Sequence, residues 1–269
     1  MHESSTVLFE APNWAADDRL VLNGDGLLWG LALDGSAPAQ IVFEGLPALN
    51  NDHVLGPGGL VYMSADDGHI YEGSLEGGAV RRVTPDDGFL HFLHGVSPDG
   101  STLAYVGITP GEWTSGTLWT VGVSGRGSRQ LTSGPGADDG PEYSPSGEWI
   151  YFNTERFGGG AAQIARIRPD GSGLEQLTFD ERVNWFPHLA GSRAVYLSFP
   201  PGTAGHPADL PVLLRLVDGD DWRSARTVVS LDGGQGTINV NSWSPAGDRF
   251  AYVDYPVTRS ASMRTINRT

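Results

Sequence analysis

Cysteine and lysine are both missing from the 269 residues. Without cysteine there can be no disulfide, no thiolate metal site and no thiol nucleophile. The lack of lysine removes Schiff-base chemistry, a pyridoxal phosphate anchor and the lysine of a phosphate-binding loop. All 17 basic residues are therefore arginine, and they face 32 acidic ones, for a formal net charge of −15. Such a chain repels nucleic acid and anionic membrane surfaces, and no local basic patch offsets the repulsion. Neither is expected as a partner, whereas a cation or a neutral ligand is admissible. No apolar run approaches the ~18 residues of a membrane span. The opening MHESSTVLFEAPNW has no basic region followed by an apolar stretch of signal-peptide length. A cytoplasmic location is expected, or a periplasmic one if a signal has been removed. Capped helical patterns of 3.6-residue period are absent too, which argues against helical repeats.

In their place stand 38 glycines and 18 prolines without a triplet period, beside a hydrophobic content of 39%. That combination describes a globular chain with many short turns. The stretch 138–180 spells out one unit: a turn SPSG, an alternating run WIYFNT, a glycine-rich connection, a second run QIARIR, a turn PDGSG and a closing LEQLT. Period-two alternation between such turns is the signature of strands and hairpins. Aligned on the turn after each first strand, the pattern recurs at Ala15-Ala-Asp-Asp18, Gly56-Pro-Gly-Gly59, Ser97-Pro-Asp-Gly100, Ser144-Pro-Ser-Gly147, a shortened Ala190-Gly-Ser192 and Ser244-Pro-Ala-Gly247. Spacings of about 40–55 residues fall where propellers must be considered. The pattern predicts an all-β, six-bladed propeller of four-stranded antiparallel blades, one domain over 1–269. The blades are expected near 7–44, 49–86, 92–134, 138–180, 183–232 and 233–256, the last closed by the N-terminal strand 5–10 (STVLFE).

SPDG or SPSG before an apolar-aromatic strand, then DG and a QLT ending, resembles the TolB-like, PD40 (WD40-like) type of propeller repeat. The resemblance covers nearly the whole chain and implies the propeller fold.

First strands of a propeller line its channel, so the residues preceding each turn face that channel. There the sequence places polar side chains: Asn50, Asn51, Asp52 and His53, then His91 and His94, Asp138, Asp139 and Glu142, Asn184, Trp185 and His188, and Gln235 to Asn239. His53, His94 and His188 sit within a residue of the same repeat position. Converging imidazoles with a carboxylate or amide would make a nitrogen and oxygen site for a divalent metal such as manganese, zinc, iron or calcium. For any single histidine, a channel-wall residue bonded to its neighbours explains the position as well. The insertion 202–209, carrying His206, is long enough to overhang the channel mouth.

The chain is also similar in part to propeller oligogalacturonate lyases, whose metal is held by several histidines and a glutamine. That resemblance implies His53, His94, His188 and Gln235 as metal ligands, with His94 or Glu142 as the base. It also implies Arg156 or Arg182 as a carboxylate clamp. Asn51, Asp52, Trp185, His206 and Asn239 are the expected contacts to a small ligand, most simply a sugar. The reaction expected on this reading is metal-dependent lysis or hydrolysis of a polysaccharide or oligosaccharide. Its rival is a non-catalytic TolB-like scaffold that presents a face to a protein partner.

Overall fold

The computed structural model describes residues 2–255. Five four-stranded antiparallel sheets follow one another, each a meander in chain order. Blade 1 is built from Phe9–Trp14, Arg19–Gly24, Leu27–Ala32 and Ala39–Ile41. Blade 2 uses Leu49–Leu55, Leu60–Ala65, Ile70–Ser74 and Arg81–Arg82. Leu90–Val96, Thr102–Ile108, Thr117–Gly122 and Arg129–Gln130 form blade 3. Blade 4 comprises Asp138–Tyr143, Ile150–Thr154, Gln163–Ile167 and Glu175–Gln176. Val183–Ala190, Arg193–Phe199, Leu210–Asp218 and Arg226–Gly233 make blade 5. A short parallel pair, Phe43–Glu44 with Gly78–Ala79, ties blade 1 to blade 2. Among the described residues no helix is long and apolar enough to cross a membrane.

The expectation of six blades is overturned: among the described residues there are five. The sixth turn does form, with the Gly247 N–H donating to the Ser244 carbonyl at 2.8 Å. Its hairpin, however, carries only the bridge between Trp243 and Phe250. The N-terminal segment does not complete it either. Phe9 and Glu10 pair with Gly24 and Asn23 and so begin blade 1, while 5–8 lies in no strand. Contact across this seam comes instead from the Tyr255 hydroxyl, which donates to Glu10 Oε1.

The recurring motifs have local causes. In SPDG and SPSG the proline fixes φ at the second turn position and the glycine takes the positive φ that closes the turn, +70° at Gly100 and +73° at Gly147. Asp18 fills that place in blade 1 with φ +62°. The threonine ending each QLT-like segment works as a splice. Fourth strands of blades 2, 3 and 4 are two residues long, and Thr84, Thr132 and Thr178 accept the N–H of Ile70, Leu118 and Ile164 at 2.8–2.9 Å. Each hydroxyl thus supplies a bond the short ladder cannot.

Sheets stand face to face, so the apolar clusters lie between neighbouring blades, and second strands such as Ile150–Thr154 are buried on both faces. First strands of adjacent blades touch one another. They come close at Gly95, where an added Cβ would lie 2.6 Å from the Pro141 carbonyl oxygen of the next blade. Gly95→Ala is therefore expected to cost about 1–3 kcal/mol through overpacking. Urea denaturation checks this, and unchanged stability would mean the two strands can part freely.

Every first strand also breaks register once. In blades 1, 4 and 5 the break is an x-Pro pair standing against one residue of the second strand: Ala11-Pro12, Gly140-Pro141 and Phe186-Pro187. The residue before each proline has positive φ, +52°, +62° and +52°. Proline has no N–H to lose at a bulge, which is why it is tolerated there. In blade 2 the three residues Asn50, Asn51 and Asp52 oppose Ser64, and in blade 3 His94 is the unpaired extra residue.

Candidate functional site

These breaks turn side chains toward one mouth of the channel, where a cavity of about 780 Å³ opens. Its floor comes from the first strands, with Glu10, Asn51, Asp52, His94, Asp139 and Trp185. Loops joining second to third strands form the rim and contribute Asp25, Trp113, Glu155 and His206. Trp113 is 65% exposed and meets Phe92 edge to face at 6.3 Å between ring centroids. The 200–209 excursion does reach over the mouth, setting the His206 ring 4.6 Å from that of Trp185.

At the floor His94 lies between two carboxylates. Its Nε2 is 3.2 Å from Asp139 Oδ1 and 3.8 Å from Asp52 Oδ1. Asn239 Nδ2 donates to the same Asp52 oxygen at 2.7 Å, and Phe186 stacks on the imidazole at 5.8 Å. Phe186 reaches this position only through its left-handed backbone, uncommon for so bulky a residue. Burial by itself would lower the His94 pKa. The Asp52 charge, the hydrogen bond and charge of Asp139 and the Asn239 main chain outweigh it and raise the group from 6.5 to about 9. Burial also acts against an ionised Asp139, but His94 holds that carboxyl below its ordinary range. For Asp52 burial wins, and its pKa is raised despite His94 and Asn239. The result is a protonated imidazole fixed between two acids, with Asp139 keeping 24% of its side chain open.

Asn51, Asp52, His94, Trp185, His206 and Gln235, all singled out from sequence, line this one cavity. Asn239 lies beneath it against Asp52. The three histidines expected to share a metal do not meet. His53 packs between blades with Nε2 3.3 Å from the Val21 carbonyl, and burial drives its imidazole down to about 4. His188 is clamped between Glu142 Oε2, at 2.6 Å, and the Ile238 carbonyl. Among the described residues no three His, Asp or Glu side chains are arranged to hold a metal ion. The donor set implied by the lyase resemblance therefore does not fit a metal here.

Glu142, the other candidate base, is buried away from the cavity. Its oxygens accept from His188, from the Leu189 N–H at 2.7 Å and from Asn241 Nδ2 at 2.7 Å. Neither arginine proposed as a clamp is available. Arg156 is paired with the buried Asp138, and Arg182 donates to the Ser198 hydroxyl and carbonyl. Sequence reasoning missed Trp113, whose signal was a lone tryptophan in the polar loop TPGEWTSG, and Glu10, which had been assigned to the closing strand.

No family model matches the chain. An uncharacterized protein of Agrobacterium fabrum is 40% identical over 257 residues, spanning 92% of this chain and 85% of that one. The structure of a candidate TolB from Agrobacterium tumefaciens superposes with a TM-score of 0.87 at 39% identity, covering 94% of this chain and 92% of the other. An oligogalacturonate lyase in complex with manganese shares the fold alone, with a TM-score of 0.58 at 15% identity over 84% of this chain and 67% of that one. With five meander blades, spliced QLT endings and a relative this similar along nearly its whole length, the chain belongs to the TolB-like family of β-propellers.

Proposed function

We propose that this protein is a binding propeller that holds a small polar ligand in the mouth of its channel and carries out no bond chemistry on it. The observation behind this reading is the cavity itself: about 780 Å³, ringed by all five blades, with aromatic side chains on its wall and polar ones on its floor. Binding sites of this kind are concave, partly apolar and furnished with a few fixed polar groups. The ionic cluster at its base favours holding over turnover. His94, the imidazole at that base, is held protonated between two carboxylates, which leaves no lone pair at Nε2 to take a proton.

A metal-dependent lyase acting on uronates draws less support. Among the described residues no arginine lines the cavity, and its carboxylates repel an anionic substrate. A protein partner is the rival occupant, and it would have to dock on the same rim through the exposed Trp113.

Screening the purified chain by thermal shift against sugars, amines and amino acids tests the reading. A true ligand at about 100 times its Kd adds about 2.7 kcal/mol of stability, or about 5–10 °C in Tm for a chain this size. That gain should be largely lost in Trp113→Ala, whose side chain is mostly solvent-exposed and whose removal should leave the unliganded Tm in place. A ligand that stabilises wild type and Trp113→Ala equally does not occupy this cavity, and the reading falls.

A further inference from the structure

We propose that the ligand carries a primary ammonium group, held by rim carboxylates with its carbon skeleton against Trp113 and Phe92; this rests on the cavity being the binding site. The first argument is charge. Among the described residues six carboxylates line the cavity, those of Glu10, Asp25, Asp52, Asp138, Asp139 and Glu155, and no arginine does. Three of the six have a cationic partner inside the protein: Asp138 faces Arg156, while Asp52 and Asp139 share the single charge of His94. Glu10 accepts hydrogen bonds from Tyr255 and Asn51 but gains no positive charge from them. Asp25 and Glu155 have neither a hydrogen bond nor an ion pair to their carboxylates among the described residues. The mouth therefore holds several uncompensated negative charges within low-dielectric walls, which concentrates the field on any cation that enters.

The second argument is hydrogen-bond polarity. Ionised carboxylates only accept, so a ligand that satisfies them has to bring donors, and an ammonium brings three with its charge. A quaternary ammonium would bring the charge without the donors. Two lining side chains at least nine-tenths buried, His94 and Trp185, each retain a nitrogen with no partner, Nδ1 and Nε1. An unpaired buried N–H is costly to leave unmet. The third argument is the rim. Trp113 is exposed where nothing in the described fold requires it, and its ring beside Phe92 is a platform whose π face takes an aliphatic or sugar surface or a cation. Amino sugars and polyamines both carry the required ammonium, and the two can be told apart experimentally.

Calorimetric titration of the full chain with glucosamine, glucose, glucuronate and spermidine varies the charge on one ring while adding a sugar-free amine. Glucosamine is expected to bind at least about tenfold more tightly than glucose, consistent with a charge-assisted contact, and glucuronate not at all. Tighter binding of spermidine than of glucosamine would assign the site to a linear amine; the reverse would assign it to an amino sugar. The double variant Asp25→Asn, Glu155→Gln, changed at two rim positions, should keep the wild-type Tm. It should lose about five- to tenfold in ammonium affinity, as should the wild type on raising salt. Equal affinities for glucose and glucosamine, both abolished by Trp113→Ala, would overturn the ammonium inference and leave the cavity as the binding site. Ammonium binding indifferent to Trp113→Ala and to the double variant would remove both. Failure of glucosamine and spermidine alike to bind rejects the ammonium class.

Discussion

Glu142→Ala is expected to lower the unfolding free energy by about 3–5 kcal/mol, the cost of breaking a buried charged network by removing one partner. For a chain of this size that is about 10 °C in Tm. The reason is how much of the ring converges on one side chain. Glu142 sits on blade 4, yet it accepts from His188 and Leu189 of blade 5 and from Asn241 of the last hairpin. Truncation leaves the buried His188 imidazole and the half-buried Leu189 N–H without this acceptor and takes one of two acceptors from Asn241 Nδ2. Glu142→Gln keeps the shape but can offer only one accepting oxygen, and it should fall between. Differential scanning calorimetry reads both variants. A loss under about 1 kcal/mol for the alanine would mean that water replaces the carboxylate and the belt adds little.

Raising the pH from 6.5 to 9.5 is expected to cost the wild type about 3 kcal/mol in the absence of ligand. The folded His94 imidazole titrates near 9 and the unfolded one near 6.5. Its contribution is therefore complete below the unfolded value and disappears as pH rises through the folded one. A difference of that size corresponds to about 3 kcal/mol. Two neighbours act at the opposite end of the scale. Asp139, held low, loses its contribution as the solution becomes acidic, whereas Asp52, raised by burial, is eased by protonation there. Urea denaturation at several pH values should show the alkaline decline in the wild type and none in His94→Gln. That variant should also be weaker at pH 7 by about 3–5 kcal/mol, since it leaves buried Asp52 and half-buried Asp139 without the positive charge they share. A wild-type profile flat between pH 6.5 and 9.5 would mean that His94 is neutral and the charge arrangement at the floor is different.

The four-stranded unit was legible because its turns and endings are chemical necessities. SPDG needs proline and glycine at fixed places, and the final threonine completes a ladder that a two-residue strand cannot. Blade number was not, because a turn motif reports a hairpin and says nothing about whether outer strands join it. Ser244-Pro-Ala-Gly247 folds as its counterparts do and still ends in a single bridge. Channel-facing position agrees with the cavity lining for Asn51, Asp52, His94 and Trp185, and His206 reaches the same cavity from the insertion. It misled for His53 and His188, because the breaks in register reassign which residues of a first strand reach the axis. The proline in APNW, GPEY and FPHL marked three of those breaks in the sequence. Glu142 and His188 each follow such a proline and turn between the blades, while Asp139 and Trp185 precede it and reach the mouth.

Residues 50–52 and 94 hold no place in the inter-strand ladder, since they stand where the first strands of blades 2 and 3 break register. Asp52 and His94 are tied into the ionic cluster of the floor and help to keep the shape of the ring, whereas half-buried Asn51 presents its side chain to the cavity. For anyone wishing to retarget the protein, Asn51 is a socket already fitted to a scaffold, and a library confined to it would sample new specificities on an intact frame.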